Sequence, residues 1–288
     1  MLPRKPTPKR IVAIPSNLFI EKPLREKSVK TGFVARALAI FRIEHVILYG
    51  ITNEKKEKEN ALTLKKILEY MECPQYLKSK LFKKDPVLRY VGLLPPLRTP
   101  HHPLKHEKTP YRDGVVVARR KAHVVVDVGL EKPLEIATRE VLKIGERVSV
   151  KLSYGSKGKI SKADIVKREE IDVYWGYRVD LAENLLEAIK KAKADLVVAT
   201  SRRGTLVNEI MDGLIESIRK SRKMLLLFGS QKEGLFEISE RIGLNLEDIA
   251  DYIVNFIPEQ GTATVRTEEA MIASLSLINF LDTLKAKS

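Results

Sequence analysis

Short apolar runs alternate with helical stretches at both ends of this chain, and the pattern stops in the middle. Near the start, Ile11 to Ile14 form a strand halted by Pro15, and "GFVARALAIFRI" is helical in composition, with Phe33, Ala37 and Ile40 along one stripe. "EHVILYG" then reads as a buried strand ending at Gly50, and "KEKENALTLKKILEYME" as an amphipathic helix with Leu62, Ile67 and Tyr70 near one face. From about Asp172 the same grammar returns: "LAENLLEAIKKAK", "ADLVVATS", "TLVNEIMDGLIESIRKS", "KMLLLFGS", "EGLFEISERIG" and "DYIVNFI" alternate helix and strand, before a closing helix. Apolar strands separated by crossover helices specify an α/β fold with a parallel sheet.

The interruption begins after about Tyr90. "GLLPPLRTPHHPLKHEKTPYRDG" holds five prolines and reads as irregular chain. Five short strands with glycine turns follow. In "RVSVKL", Val148, Val150 and Leu152 point one way and Arg147, Ser149 and Lys151 the other. Such a run predicts a small OB-like barrel. Residues 1–89 contain too few strands to close a core alone, so the pattern implies one parallel-sheet domain, 1–89 plus 172–288, with an inserted domain at 90–171.

Charge divides the chain in a similar way. The net charge is +15, yet residues 195–288 carry 11 Lys/Arg against 14 Asp/Glu. The basic excess therefore lies in the first two-thirds, which points to a polyanionic partner there. Residues 98–123 hold seven Lys/Arg, two acids and four of the five histidines. Arg112, Arg119, Arg120 and Lys121 are its candidate RNA contacts, in a barrel of a type that often binds single strands. His101, His102 and His106 sit among prolines and cations, which favours an RNA-facing loop over a metal site. A single cysteine, Cys73, excludes an intrachain disulfide and fits a reducing, cytoplasmic setting. No apolar run is long enough for a membrane span.

Three strand ends look specialised. "VVATSRRG" sets Thr200, Ser201, Arg202, Arg203 and Gly204 after one strand. "LLLFGSQKEGLFE" sets Gly229, Ser230, Gln231 and Gly234 after the next, and "NFIPEQGTATVRTEEA" follows the last. Open parallel sheets bind ligands outside the carboxyl ends of their strands, where glycines admit close backbone approach. No Gly-Lys-Ser/Thr and no G-x-G-x-x-G occurs, which disfavours a P-loop nucleotide or a dinucleotide.

These segments resemble the motifs of SPOUT-class, trefoil-knotted RNA methyltransferases. "IPEQGTATVRTEEAMIAS" is similar to the last motif, best at Gly261 and the run Val265 to Ala270. "LLLFGSQKEGLFE" resembles the middle motif, and "KTGFVARALAIFRIEHVILYG" the first, in which a Gly (here Gly32) precedes an Arg (here Arg36) by four positions. The ribose-methylating branch usually has Asn two positions before that Gly; here Lys30 stands there. The final motif also lacks that branch's Ser-Leu-Asn run. Both departures point to a base as the methyl acceptor. The match covers roughly residues 10–89 and 172–285, and a subgroup of the family carries an OB-like insertion.

The resemblance implies a Rossmann-like parallel sheet whose C-terminal part is threaded into a trefoil knot. It implies S-adenosylmethionine as cofactor, structured, ribosomal RNA as substrate, and a homodimer with a shared site. Phe228, Gly229, Ser230, Ile257 and Gln260 would hold adenine and ribose, with Thr200, Gly234, Gly261, Thr262, Val265 and Arg266 around them. Arg36 would reach the reacting nucleotide or a phosphate. Arg202 and Arg203 would grip RNA or stand as solvated turn residues, and Arg266 would face the pocket or pair with Glu259. Glu268 and Glu269 read first as helix-start residues after an N-capping Thr267, with a catalytic base as the alternative. Trp175 reads as an anchor where the barrel rejoins the sheet. The rival function is a non-catalytic RNA-binding or ribosome-assembly factor. In-line methyl transfer needs no metal, only positioning and electrostatics.

Overall fold

A computed structural model describes residues 2–52, 54–156 and 158–284. Its larger sheet is parallel and mixes the two ends of the chain. The strands are β1 (Lys9–Pro15), β2 (His45–Tyr49), β8 (Arg178–Ala182), β9 (Leu196–Leu206), β10 (Lys223–Leu227) and β11 (Tyr252–Asn255), in the order β11-β9-β10-β1-β2-β8. Strand β1 runs between β10 and β2, pairing Ala13 with Leu227 and with Ile47. The first segment of sequence is therefore completed by the last.

Side-chain alternation explains the layers. Val12, Ile14, Val46, Leu48, Val198 and Leu226 bury one face of the sheet, and Ile11, Ala13, Ile47, Tyr49, Val197 and Leu225 the other. Helices α1 (Leu24–Ile40), α2 (Lys55–Glu72), α5 (Met211–Lys220) and α8 (Thr267–Leu284) cover the first face. Helices α4 (Leu185–Ala192), α6 (Leu235–Arg241) and α7 (Leu246–Ile249) cover the second. Both faces are closed to water, which is why these strands read as continuous apolar runs.

Two helix faces differ from expectation. Phe33 and Ile40 are 55% and 56% exposed, whereas Val34, Ala35 and Leu38 are buried. Helix α1 contacts both α2 and α8, and its small residues admit that approach while the large ones turn outward. On α2, Leu62 is exposed, and the buried stripe is Ala61, Leu64, Ile67, Leu68 and Met71.

The second sheet is antiparallel. Its strands β3 (Tyr111–Arg120), β4 (His123–Asp127), β5 (Leu134–Ala137), β6 (Arg147–Tyr154) and β7 (Ile160–Val166) lie in the order β5-β4-β3-β6-β7. Edge strands β5 and β7 approach each other, so the sheet curls nearly closed over Val116, Val124, Val126, Ile136, Val148, Val150 and Leu152. Gly114 is required there: a Cβ would come within 2.4 Å of the Val126 side chain and 3.1 Å of the Asp127 carbonyl.

A buried polar cluster joins the two sheets. Arg147 of β6 donates to Glu72 at the end of α2 at 2.6 Å and also binds Asp113 of β3. Trp175 is buried and its indole donates to Asp113 at 2.7 Å, which makes it the anchor its position suggested. His101 and His102 belong to this junction and not to an RNA-facing loop, whereas His106 is exposed. His101 is fully buried with Nε2 3.2 Å from Glu72 Oε1, and His102 Nε2 lies 2.6 Å from the Glu72 carbonyl. Burial tends to raise the Glu72 pKa, but Arg147, His101 and Arg168 bring it well below the usual carboxylate range. Burial, then the neighbouring His101, depresses His102 to about 3.

Arg112 is likewise corrected. It is fully buried, and its guanidinium donates to the carbonyls of Val128, Leu104 and Glu107 at 3.3, 2.5 and 3.0 Å. It fastens the proline-rich stretch to β3 and presents nothing to a polyanion. Arg119, Arg120 and Lys121, in contrast, are exposed at the β3–β4 turn, where Arg120 pairs with Glu135 at 2.5 Å. Among the described residues, no helix is long and apolar enough to cross a membrane, and no group of His, Cys, Asp and Glu is arranged to hold a metal ion.

Candidate functional site

The carboxyl ends of β9, β10 and β11 meet in a cleft of about 410 Å³. This is a size that admits a small organic ligand. Its first wall arises from an irregularity that apolar patterning does not reveal. Strand β11 pairs Tyr252 with Val198 and Ile253 with Ala199, but the next residue, Val254, pairs with Thr205. The five residues Thr200–Gly204 therefore bulge away from the ladder. Gly204 makes this possible, because a Cβ would lie 2.5 Å from the Ile253 carbonyl oxygen. Thr200 fixes the start of the bulge by donating to the Leu227 carbonyl at 2.9 Å, and Asn255 holds its middle by donating to Arg202 O at 3.2 Å.

The second wall is the turn from β10 into α6. Phe228 continues the strand direction by donating its N–H to Ala13 O at 3.0 Å. Ser230 then closes a tight turn on Glu233 through both its N–H, at 2.9 Å, and its hydroxyl, at 3.2 Å. A Cβ on Gly229 would meet the Glu233 carbonyl at 3.1 Å and Gly234 Cα at 3.2 Å. A side chain there would crowd the turn, and the glycine leaves the backbone bare toward the cleft.

The third wall is the stretch from Phe256 to the start of α8. Ile257, Gln260 and Val265 line the cleft, and the Gln260 amide donates to Thr262 O at 2.8 Å. Arg202 reaches across to donate to Ala263 O at 2.8 Å. Thr267 is the first residue of α8 and not its cap: its hydroxyl donates to Gly229 O at 3.1 Å, linking the second and third walls. Glu269 supplies the helix-start contact by accepting the Arg266 N–H at 2.9 Å.

The structure brings together Thr200, Arg202, Arg203, Phe228, Gly229, Ser230, Gly234, Ile257, Gln260 and Val265 on this cleft. Arg203 pairs with Glu237 at 2.5 Å and lies over the Phe236 ring at 4.3 Å. Gly261, Thr262 and Arg266 are exposed and outside the cleft wall, and a Cβ on Gly261 would meet nothing within 4 Å. Arg36 is also outside it. Its guanidinium donates to the carbonyls of Pro96 and Leu97 at 3.1 and 3.0 Å, from the same outward side of α1 as Phe33 and Ile40. Sequence reading missed Asn255, Thr264 and the α8 face of Thr267, Ala270 and Ser274. Small residues at helical spacing in "TEEAMIAS" were the available signal for that face.

Comparison with known proteins gives the site a context. Residues 9–278 match the family model described as "Putative RNA methyltransferase". The chain is 31% identical over 310 residues to a 28S rRNA (uridine-N(3))-methyltransferase of Drosophila melanogaster, covering 95% of this chain and 62% of that protein. It is 32% identical over 299 residues to the Homo sapiens protein of the same description, covering 93% of this chain and 77% of that one. An uncharacterised protein of Haloarcula marismortui matches at 28% identity, across 94% of this chain and 99% of its own length. By the extent of the family match and its identity with these relatives, the chain belongs to this RNA methyltransferase family, as its SPOUT-class motifs imply.

Proposed function

We propose that this protein transfers a methyl group from S-adenosylmethionine to a base of ribosomal RNA, at N3 of a uridine. The observation that carries the reading is the cleft at three adjacent strand ends, in a chain whose family match spans residues 9–278. The names of the fly and human relatives supply the acceptor atom. The chain covers 62% of the fly protein's length, so this activity is inferred for the matched part.

The residues present suit the cofactor. Bare backbone at Gly229 and the apolar side chains of Ile257 and Val265 fit a flat adenine, and Thr200, Ser230 and Gln260 offer hydrogen-bonding groups to a ribose. When bound, S-adenosylmethionine supplies an electrophilic methyl carbon on a sulfonium. The uridine N3 would receive that methyl and give up its proton to solvent. The protein's part is positioning and exclusion of water. Membership of this family, with its SPOUT-class motifs, is what supports a reading in which the C-terminal segment passes through a trefoil knot.

The division into a methyltransferase domain (1–89 and 172–288) and an inserted domain (90–171) agrees with the two sheets. The cyclic order β3-β4-β5-β7-β6 of the smaller sheet is that expected of an OB-type barrel, and exposed Arg119 and Lys121 at its β3–β4 turn are its RNA contacts in this reading. A homodimer fits the outward stripe Phe33, Arg36 and Ile40 of α1 beside Ile272 and Phe280 of α8, all partly or largely exposed on two helices packed together. Pairing that face with a second copy would let Arg36 act at the partner's cleft, which it does not line in its own chain. The single buried Cys73, its thiol pushed up to about 12 by burial, suits a reducing cytoplasm.

Calorimetric titration with S-adenosylmethionine tests the cofactor assignment. One site per chain, lost in Gly229→Val, is expected. Wild-type protein with no heat of binding, or a Gly229→Val variant that binds normally, would remove the cofactor from this cleft.

A further inference from the structure

Besides the exposed Arg119 and Lys121 of the smaller sheet, a set of lysines stands near the cleft itself. The chain leaving β1 passes next to the β10 turn, because Phe228 is hydrogen-bonded to Ala13. This β1–α1 loop is held rigidly from α2. Asn60 donates to the carbonyls of Ser16 and Leu18 at 2.6 and 2.9 Å. Buried Glu57 accepts the Ser16 hydroxyl at 2.7 Å and the N–H groups of Ile51 and Thr52 at 2.9 and 2.7 Å.

On this scaffold, lysines from three different segments lie within electrostatic reach of one exposed carboxylate, which Lys56 binds directly. Lys56 of α2 binds both oxygens of Glu21 at 3.0 Å. Lys27 of α1 is fixed by the Asn60 side-chain oxygen, one helical turn along α2 from Lys56. Lys232 belongs to the β10–α6 turn and lines the cleft. The Glu21 carboxyl is held below its usual range by Lys56 first, with Lys232 and Lys27 adding to the effect. Burial lowers the Lys27 pKa, Lys56 lowers it further, and Glu21 opposes both. One turn beyond Lys27, Lys30 extends the row to Glu268 at 3.4 Å, next to Thr267 on the cleft wall.

We propose that Lys27, Lys56 and Lys232 form a phosphate-binding subsite that holds the RNA backbone next to the nucleotide being methylated, with Glu21 standing in the phosphate's place when RNA is absent. The inference rests on the RNA-methylation reading and assigns the surface by which the substrate enters. Three cations on separate segments, one of them half-buried, cost self-repulsion that a single exposed carboxylate offsets only in part. A phosphodiester bridging the lysines would relieve it and displace Glu21 to solvent. The target base would then reach the cleft from the β1–α1 side, while the β3–β4 turn contacts RNA farther away.

Binding of a large-subunit ribosomal RNA transcript to the full chain, measured at a series of salt concentrations, tests this. In Lys27→Gln/Lys56→Gln the salt slope should fall by roughly 0.7–0.9 for each lysine, with affinity down about tenfold or more at low salt. S-adenosylmethionine affinity should stay within about twofold. Glu21→Gln should act in the opposite direction, tightening RNA binding severalfold. Adding Lys232→Gln to the double variant should lower the slope again. Unchanged slopes in the lysine variants, in a protein whose wild type binds and methylates RNA, would overturn the subsite alone. Tighter binding of inorganic phosphate in wild type than in the double variant, with equal RNA affinity, would make it a small-anion site and also overturn the proposal. A wild-type protein that neither binds nor methylates RNA would instead sink the functional reading on which the subsite depends.

Discussion

The guanidinium of Arg202 donates to the carbonyl of Ala263 at 2.8 Å, across 61 positions of sequence. This bond ties the bulge in β9 to the Thr-rich segment after β11 and so joins two walls of the cleft. Arg202→Ala should therefore loosen the third wall as well as remove a charge. We expect S-adenosylmethionine affinity to fall about tenfold, or about 1.4 kcal/mol, while the thermal midpoint moves little. Calorimetry and thermal unfolding on the same variant check the pair of outcomes.

Glycines in the three loops should differ sharply in tolerance. A Cβ at Gly204 would collide with the Ile253 backbone carbonyl at 2.5 Å, whereas at Gly261 it would meet nothing within 4 Å. Gly204→Ala is expected to destabilise the protein by about 1–3 kcal/mol, as overpacking does, and to weaken cofactor binding. Gly261→Ala should leave both within experimental scatter. Denaturant midpoints for the two variants give the comparison, and equal effects would contradict the wall geometry.

At the junction of the sheets, Arg147 lies between Glu72 and Asp113, whose side chains are only 5% and 3% exposed. Removing the cation would strip buried Asp113 of its guanidinium partner and leave Glu72 to His101 and Arg168. Arg147→Ala should cost about 3–5 kcal/mol, the range for breaking a buried ion pair from one side. Urea unfolding measures it, and the loss should appear even without RNA or cofactor.

Acid should destabilise the fold in two windows. His45 is depressed to about 4 by burial first, then by Arg178, despite a hydrogen bond to Asp180. Unfolding restores its ordinary value near 6.5, so the unfolded chain binds more protons between those limits and stability falls as pH drops from 6.5 toward 4. His102, at about 3, acts in the same direction over a wider window. Glu72 has a folded value well below its unfolded one, so its contribution is present above about 4.5 and is lost as pH falls through the folded value. Urea midpoints should decline steadily below about pH 6.5, and His45→Gln should flatten the upper part of that decline.

Much of the parallel sheet was legible because both its faces are buried, so its strands read as plain apolar runs. The helix faces were harder. Phe33 and Ile40 look like a core stripe, but α1 packs through Val34, Ala35 and Leu38, and only the arrangement of α2 and α8 decides which stripe is used. The three glycine-bearing strand ends were visible, and their convergence followed from the parallel topology. The bulge at Thr200–Gly204 was not, since a register jump is a property of the pair β9–β11 and not of either sequence. Arg112, His101 and His102 were misleading for a related reason. Their composition matched a solvated basic loop, while their partners are backbone carbonyls and Glu72, contributed by distant segments.

The most direct test is to incubate the protein with methyl-labelled S-adenosylmethionine and large-subunit ribosomal RNA, then digest the RNA and analyse its nucleosides by mass spectrometry. The account predicts label in 3-methyluridine, abolished in Gly229→Val. Label confined to a 2′-O-methylated nucleoside, or no label in RNA from a protein that binds the cofactor, would contradict it.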